Sequence, residues 1–266
     1  MADKHEHRAR KRFGQNFLHD QNVIQRIVHQ IQPREGQHLV EIGPGKGALT
    51  EEVLHHIAHM DVVELDRDLI PILQAQLGER ISIHNHDAMK FDFCSLIQGD
   101  EKLRVIGNLP YNISTPLIFH LLALRDCIQD MHFMLQKEVV ERMVAGPGSK
   151  TYGRLSIMVQ YFCRVEKLFI VPPGAFNPAP KVDSAIVRLL PHEQPPYEVD
   201  SVDTLSKLVA KAFSQRRKTL RNTLKDWLDE EAIVKAGVDP KLRPEQLSLA
   251  EFVALTNQYC RLVPTK

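Results

Sequence analysis

Residues 37–50, Gln37-His38-Leu39-Val40-Glu41-Ile42-Gly43-Pro44-Gly45-Lys46-Gly47-Ala48-Leu49-Thr50, decide the architecture. The first six are short, largely apolar and stopped by a glycine, which predicts a buried strand. Gly43, Gly45 and Gly47 turn the chain, and "ALTEEVLHHIA" from Ala48 returns to a helical pattern. Strand, glycine turn and helix in this order open a doubly wound α/β sheet, where a ligand sits at the carboxyl ends of the strands near a helix N-terminus. The turn alone does not identify that ligand. Gly43-x-Gly45-x-x-Ala48 also satisfies the dinucleotide pattern, while Gly47 after Lys46, in place of Ser or Thr, excludes a P-loop.

Upstream, "QNVIQRIVHQI" carries Val23, Ile24, Ile27, Val28 and Ile31 at helical spacing and is closed by Pro33. Downstream, strands are expected at "MDVVEL", "RISIHNH", "KLRVIG" and "DMHFMLQ", alternating with helices at "DLIPILQAQL", near "FCSLI", at "STPLIFHLLAL" and from about Glu138. This alternation predicts an open, mostly parallel sheet. Ser114 is the expected N-cap of the "STPLIFHLLAL" helix, with Pro116 in its first turn. After a helical "GRLSIMVQYF", two strands, "VEKLFIV" and "SAIVRLL", follow with no helix between them and are expected to pair antiparallel. The intervening "PPGAFNPAPKVD" reads as a semi-rigid loop at a sheet edge. "PHEQPPYEVD" reads as a linker, and only helical patterns follow it. The expected division is a catalytic domain over 1–191, including a basic arm over 1–20, and a small helical domain over 200–266.

With 266 residues, 43% of them apolar, the chain can bury the core of one large domain and a smaller one. No run reaches the roughly 18 apolar residues of a membrane helix, and the charged N-terminus lacks the apolar segment of a secretory signal, so a cytoplasmic location is expected. Cys94, Cys127, Cys163 and Cys260 are scattered and are expected to be reduced thiols. His55 and His59, and His84 and His86, have no HExxH motif or Cys partners, so no metal is expected.

A net charge of +1 conceals an uneven distribution. Lys4, Arg8, Arg10, Lys11 and Arg12 form a basic arm, and Lys207, Lys211, Arg216, Arg217, Lys218, Arg221 and Lys225 succeed one another with no acid between. On one continuous helix, Leu205, Leu208, Val209, Ala212, Phe213, Leu220 and Trp227 would face inward, and Lys207, Lys211, Lys218, Arg221 and Lys225 outward. Such a stripe suits a phosphate backbone, with ordinary solvated surface as the alternative.

Three further strand ends carry polar residues. Glu64 ends the second strand, where a carboxylate can accept hydrogen bonds from both hydroxyls of a ribose, which fits NAD and S-adenosylmethionine equally. Asp87 ends the third, placed to accept from an adenine amino group. After the fourth comes Asn108-Leu109-Pro110-Tyr111, which could be a plain turn but which no nicotinamide chemistry needs.

Together, "FGQNFL" (13–18), "EIGPGKGALT" (41–50), "NLPYNIST" (108–115) and "PPGAFNPAPKVDSAIVRL" (172–189) resemble the ribosomal RNA adenine dimethyltransferases over nearly the whole chain, and most closely the branch acting on the bacterial small subunit. The resemblance implies a Rossmann-like class I methyltransferase sheet of seven strands, mostly parallel with the last antiparallel, and S-adenosylmethionine as donor. The implied reaction dimethylates the exocyclic amines of two adjacent adenines in the 3′-terminal loop of 16S rRNA, within an immature 30S subunit met by a monomer. By motif, Asn16, Leu18, Gly43, Gly45, Glu64, Asp87 and Asn108 would hold the cofactor. Tyr111, Phe176, Lys207, Lys211, Lys218 and Arg221 would meet the RNA.

In that setting Asn108, Leu109, Pro110 and Tyr111 acquire separate roles. An adenine amine is a poor nucleophile because its lone pair is delocalised into the ring. Accepting its two N–H bonds at the Asn108 oxygen and at a carbonyl of Leu109 or Pro110 would draw the nitrogen toward tetrahedral geometry. Near-attack positioning of this kind supplies on the order of 7–11 kcal/mol. Pro110 would fix the backbone, Tyr111 would stack on the unstacked base for roughly 1–3 kcal/mol, and Phe176 is the candidate for its opposite face.

A nicotinamide-dependent oxidoreductase and a non-catalytic rRNA-binding assembly factor are the rival classes. DNA adenine methyltransferases and 23S rRNA enzymes share the acceptor-plus-aromatic motif, and the "FGQNFL" arm and helical domain favour the small-subunit enzyme over them.

Overall fold

The computed structural model describes residues 16–215 and 217–263. The basic arm residues Lys4, Arg8, Arg10, Lys11 and Arg12, and Arg216 of the second cationic cluster, lie outside the described residues.

In chain order the elements are β1 (Phe17–Leu18), α1 (Gln21–Ile31), β2 (His38–Ile42), α2 (Ala48–Val53), β3 (Met60–Val63), α3 (Ile70–Leu77), β4 (Ile81–His84), β5 (Leu103–Asn108), α4 (Ser114–Ala123) and β6 (Ile128–Gln136). They continue with α5 (Lys137–Val144), α6 (Arg154–Phe162), β7 (Cys163–Val171), β8 (Phe176–Asn177), β9 (Ser184–Pro191), α7 (Val202–Ala212), α8 (Leu220–Thr223), α9 (Glu230–Lys235) and α10 (Leu249–Leu262). Two compact units result. One runs to Val140 and takes in Glu166–Pro191, and the other comprises Glu141–Val165 and the chain from His192. The second unit therefore gathers α6 from the middle of the sequence as well as the helices after the linker.

The first unit contains a seven-stranded sheet of order β4-β3-β2-β5-β6-β9-β7. β2 runs parallel to β3 and β5, β3 to β4, and β5 to β6, while β9 is antiparallel to β6. β2 and β3 are buried along almost their whole length, as interior parallel strands covered on both faces must be. The final strand is not at the edge: β9 inserts between β6 and β7. Asp20 caps α1 by accepting the Asn22 and Val23 N–H groups, and Ile24, Ile27, Val28 and Ile31 are buried. Gln32, the residue that caps its C-terminus, is left-handed at φ 50°, ahead of Pro33.

Four local expectations are corrected. Ser114 does not cap α4; it is the first helical residue, 1% exposed, and its hydroxyl donates to the Tyr111 carbonyl. The "PPGAFNPAPKVD" loop contains a strand, β8, which pairs antiparallel with β1 in the register Phe17↔Asn177 and Leu18↔Phe176. Cys94 and Cys127 form a disulfide, because the short helical turns carrying them bring their Cα atoms within 5.6 Å; Cys163 and Cys260 form none.

The fourth concerns the long helix after Thr204, which breaks after Ala212. α8 starts afresh because carbonyls distant in sequence claim its first donors, Leu220 N–H to Leu242 and Arg221 N–H to Pro240. The inward set still holds for Leu205, Leu208, Val209, Ala212 and Leu220, all at 0% exposure. The cations, however, do not lie along one helix. Within this unit Phe213 stacks on Phe252 and Trp227 on Tyr259, and Ser248 with Glu251 closes a capping box on α10.

Candidate active site

The carboxyl ends of β2, β3, β4 and β5 open into one cavity of about 310 Å³. Asn16, Leu18, Gly43, Gly45, Glu64, Asp87, Asn108, Leu109, Pro110 and Tyr111 all line it. All four motifs thus contribute to its lining, the fourth through Ile186, and the fourth also supplies β8, the partner of β1.

Gly43 and Gly45 adopt φ 65° and 61°, values that favour glycine. A Cβ on Gly45 would also lie 3.0 Å from the Phe17 ring, so β1 approaches the turn as closely as it does only because no side chain is there. The Lys46 ammonium sits 5.2 Å from the centre of the same ring. Glu64 is 6% exposed; its Oε1 accepts the Asp66 N–H at 2.8 Å and its Oε2 the Gly45 N–H at 3.3 Å. Burial raises its pKa against those hydrogen bonds. Asp87 uses Oδ1 to accept the Met89 N–H at 3.0 Å.

The turn after β5 is tied at several points. Leu109 N–H donates to the Met134 carbonyl at 3.1 Å, and Ile113 N–H to the Pro110 carbonyl at 3.2 Å. The Asn108 amide nitrogen donates to the Asn16 carbonyl at 3.0 Å, which directs the amide oxygen, a pure acceptor, elsewhere. The Tyr111 hydroxyl pairs with Ser184 Oγ at 2.8 Å, and burial raises the phenol pKa, so the ring is neutral. Directly before the turn, a Cβ on Gly107 would lie 2.5 Å from the Ile42 carbonyl oxygen. The β2–β5 spacing therefore requires glycine at 107.

Two cavity residues escaped the sequence reading. Glu41, 2% exposed, accepts the Thr50 hydroxyl at 2.6 Å; burial pushes its carboxyl up to about 7, and the Glu64 charge adds to the rise. An acid inside an apolar strand was the available signal. His132 is 3% exposed on β6, opposite Ile106, and neither ring nitrogen has a hydrogen-bond partner among the described residues. Burial takes its pKa down to about 4, which keeps it neutral.

Phe176 does not join the site. On β8 its ring is 3% exposed and belongs to the apolar core with Leu18 and Ile24, so it is a packing residue and not a face open to a base. Lys207, Lys211, Lys218 and Arg221 belong to the other unit. Acids outside the cationic run meet three of them: Asp203 lies 2.5 Å from Lys207, Asp226 3.2 Å from Lys211, and Glu230 3.7 Å from Arg221. Among the described residues no cluster of His, Cys, Asp or Glu is arranged to hold a metal ion, and no helix is long and apolar enough to cross a membrane.

The sequence matches the family described as ribosomal RNA adenine dimethylase over residues 6–260. It is 64% identical over 264 residues to the ribosomal RNA small subunit methyltransferase A of Pseudomonas aeruginosa, covering 98% of each chain. Among solved structures, a dimethyladenosine transferase from Plasmodium falciparum superposes with a TM-score of 0.79 at 27% identity, over 92% of this chain and 98% of that one. The 23S rRNA methyltransferase ErmE shares the fold, with a TM-score of 0.71 at 24% identity, over 92% and 99%.

Proposed function

This chain belongs to the ribosomal RNA adenine dimethylase family, and from that premise we propose that it dimethylates the exocyclic amines of two adjacent adenines in the 3′-terminal loop of 16S rRNA. The chain acts as a monomer in the cytoplasm on an immature 30S subunit. The observation that carries this reading is the orientation of Asn108, whose amide nitrogen is committed to Asn16 and whose oxygen is left to accept, in the same cavity as Glu64 and the glycine turn.

S-adenosylmethionine, the family's donor, supplies an electrophilic sulfonium methyl group when bound. The residues fit it. Glu64 is a buried carboxylate whose Oε2 accepts a long N–H contact from Gly45, and ribose hydroxyls would complete its hydrogen bonding. Gly43 and Gly45 leave the backbone open to close approach, Asp87 would accept from the adenine amine of the bound donor, and Leu18 of β1 and Asn16 just before it line the site.

On the substrate side, Asn108 Oδ1 accepts one N–H of the target amine. The Leu109 carbonyl is the better second acceptor, because the Pro110 carbonyl already takes the Ile113 N–H. Pulling on both N–H bonds localises the lone pair at nitrogen without removing a proton, so a general base is not needed for attack. Tyr111 holds the base by its ring. The helical unit, through Lys207, Lys211, Lys218 and Arg221, and the basic arm bind phosphates of the subunit.

The decisive experiment offers labelled S-adenosylmethionine with undermethylated 30S subunits, naked 16S rRNA and 23S rRNA in parallel. Label should appear in 30S, and label confined to 23S would overturn the assignment. Asn108→Ala should lose roughly 100-fold or more in rate with an unchanged melting temperature. Near-normal turnover by that variant would refute the acceptor role.

A further inference from the structure

Tyr111 is gripped at both ends by a buried serine. Its carbonyl accepts from Ser114 Oγ at 3.2 Å, and its hydroxyl meets Ser184 Oγ at 2.8 Å. The two serines are 1% and 0% exposed. Ser184 lies 73 residues from Tyr111 and reaches it through the sheet, because β9 pairs with β6, at Gln136↔Ser184, and β6 pairs with β5, at Asn108↔Met134. Insertion of the last strand between β6 and β7 is thus what delivers a hydroxyl to Tyr111.

We propose that Ser184 is a positioning residue for methyl transfer, holding the Tyr111 ring in the place where the target adenine is to stack. The proposal rests on the reading of Tyr111 as the base-holding ring. The phenol oxygen lies on the Cβ–Cγ axis, so its bond to Ser184 stops the ring swinging about Cα–Cβ and holds the far end of the side chain in one place. A base stacked on a ring that cannot swing keeps its amine at the distance from Asn108 that a near-attack geometry demands, and small misplacements there are expensive in rate. Ser184 touches neither reactant. The hydroxyl pair has no acid–base task, since burial keeps the phenol protonated.

Full-length Ser184→Ala, Ser184→Thr, Tyr111→Phe and the Ser184→Ala/Tyr111→Phe double variant are compared for methyl transfer to 30S subunits, for binding of tritiated S-adenosylmethionine, and for melting temperature. Ser184→Ala should lower kcat/KM for the subunit by about 3–10-fold, the range expected for one hydrogen bond, with cofactor binding unchanged. Tyr111→Phe should lose the same amount, the double variant no more than either single, and Ser184→Thr should recover most of the rate. Wild-type transfer by Ser184→Ala, or losses that multiply in the double variant, would overturn the role of Ser184 and leave the reaction standing. A wild-type chain that labels no adenine would overturn the reaction itself, and the proposal with it.

Discussion

Replacing Glu41 by glutamine should remove a destabilisation of about 3 kcal/mol that sets in between about pH 5 and pH 8. Burial lifts the folded-state carboxyl from 4.5 to about 7, so the protonated form is the one the fold prefers. The stabilisation is then fully present below 4.5, falls as pH rises toward about 7, and is gone above it. With each pKa unit worth roughly 1.4 kcal/mol, the wild-type chain loses about 3 kcal/mol across that window. Glutamine has the same shape, cannot ionise, and keeps an oxygen to accept the Thr50 hydroxyl now at 2.6 Å. The variant should match wild type near pH 5 and exceed it by about 3 kcal/mol near pH 8, or about 6–12 °C in melting temperature for a unit of this size. Thermal unfolding of the ligand-free chain across this range reads the difference directly. Parallel pH profiles for the two proteins would refute the claim that Glu41 is held in a site that disfavours its charge.

Two further changes test the sheet that carries the site. Asp61 binds His84 Nε2 through Oδ1 at 2.6 Å and His38 Nε2 through Oδ2 at 2.7 Å, while the other His38 nitrogen meets Glu101 at 3.1 Å. The Asp61 hydrogen bond raises the His38 pKa above 6.5, and hydrogen bonds from His38 and His84 outweigh burial to hold Asp61 below 3.8. The cluster's stabilisation is therefore lost as pH falls through the depressed Asp61 value and as it rises through the elevated His38 value. Asp61→Asn should cost about 1–3 kcal/mol inside that window and less outside it, by denaturant unfolding at three pH values. Gly107→Ala would place a methyl 2.5 Å from the Ile42 carbonyl. It should cost about 1–3 kcal/mol and lower methyl transfer further by displacing Asn108, as melting and single-turnover assays would show.

The sheet was readable because interior parallel strands are apolar runs bounded by glycine or acid, and residues 39–42, 60–63 and 103–107 have that form. The cavity followed, since Glu64, Asp87 and Asn108 stand where their strands end. What stayed hidden depends on partners remote in sequence. Nothing within 204–228 announces that carbonyls of Pro240 and Leu242 will restart the helix, and nothing near Cys94 points to Cys127. Phe176 looked like a ligand contact because it sits in a proline-rich loop, but pairing of a two-residue strand with Leu18 makes it core. Glu41 was passed over because its strand pattern was already explained by burial.

The role given to Asn108 depends on which way its amide points, and that is settled outside its own motif. Flipped, the amide would present N–H donors to an amine that has donors of its own, and the pull on the nitrogen would become a repulsion. The Asn16 carbonyl accepts but cannot donate, and at 3.0 Å from Nδ2 it favours only the productive orientation. Asn16 is held in turn because the strand after it pairs with Phe176–Asn177, and because the His19 and Asp20 N–H groups both donate to the Ala175 carbonyl. Residues 16–20 and 175–177 therefore act on one atom of "NLPY". Loosening the β1–β8 pairing should impair transfer through Asn108 even when no group that touches the substrate has changed.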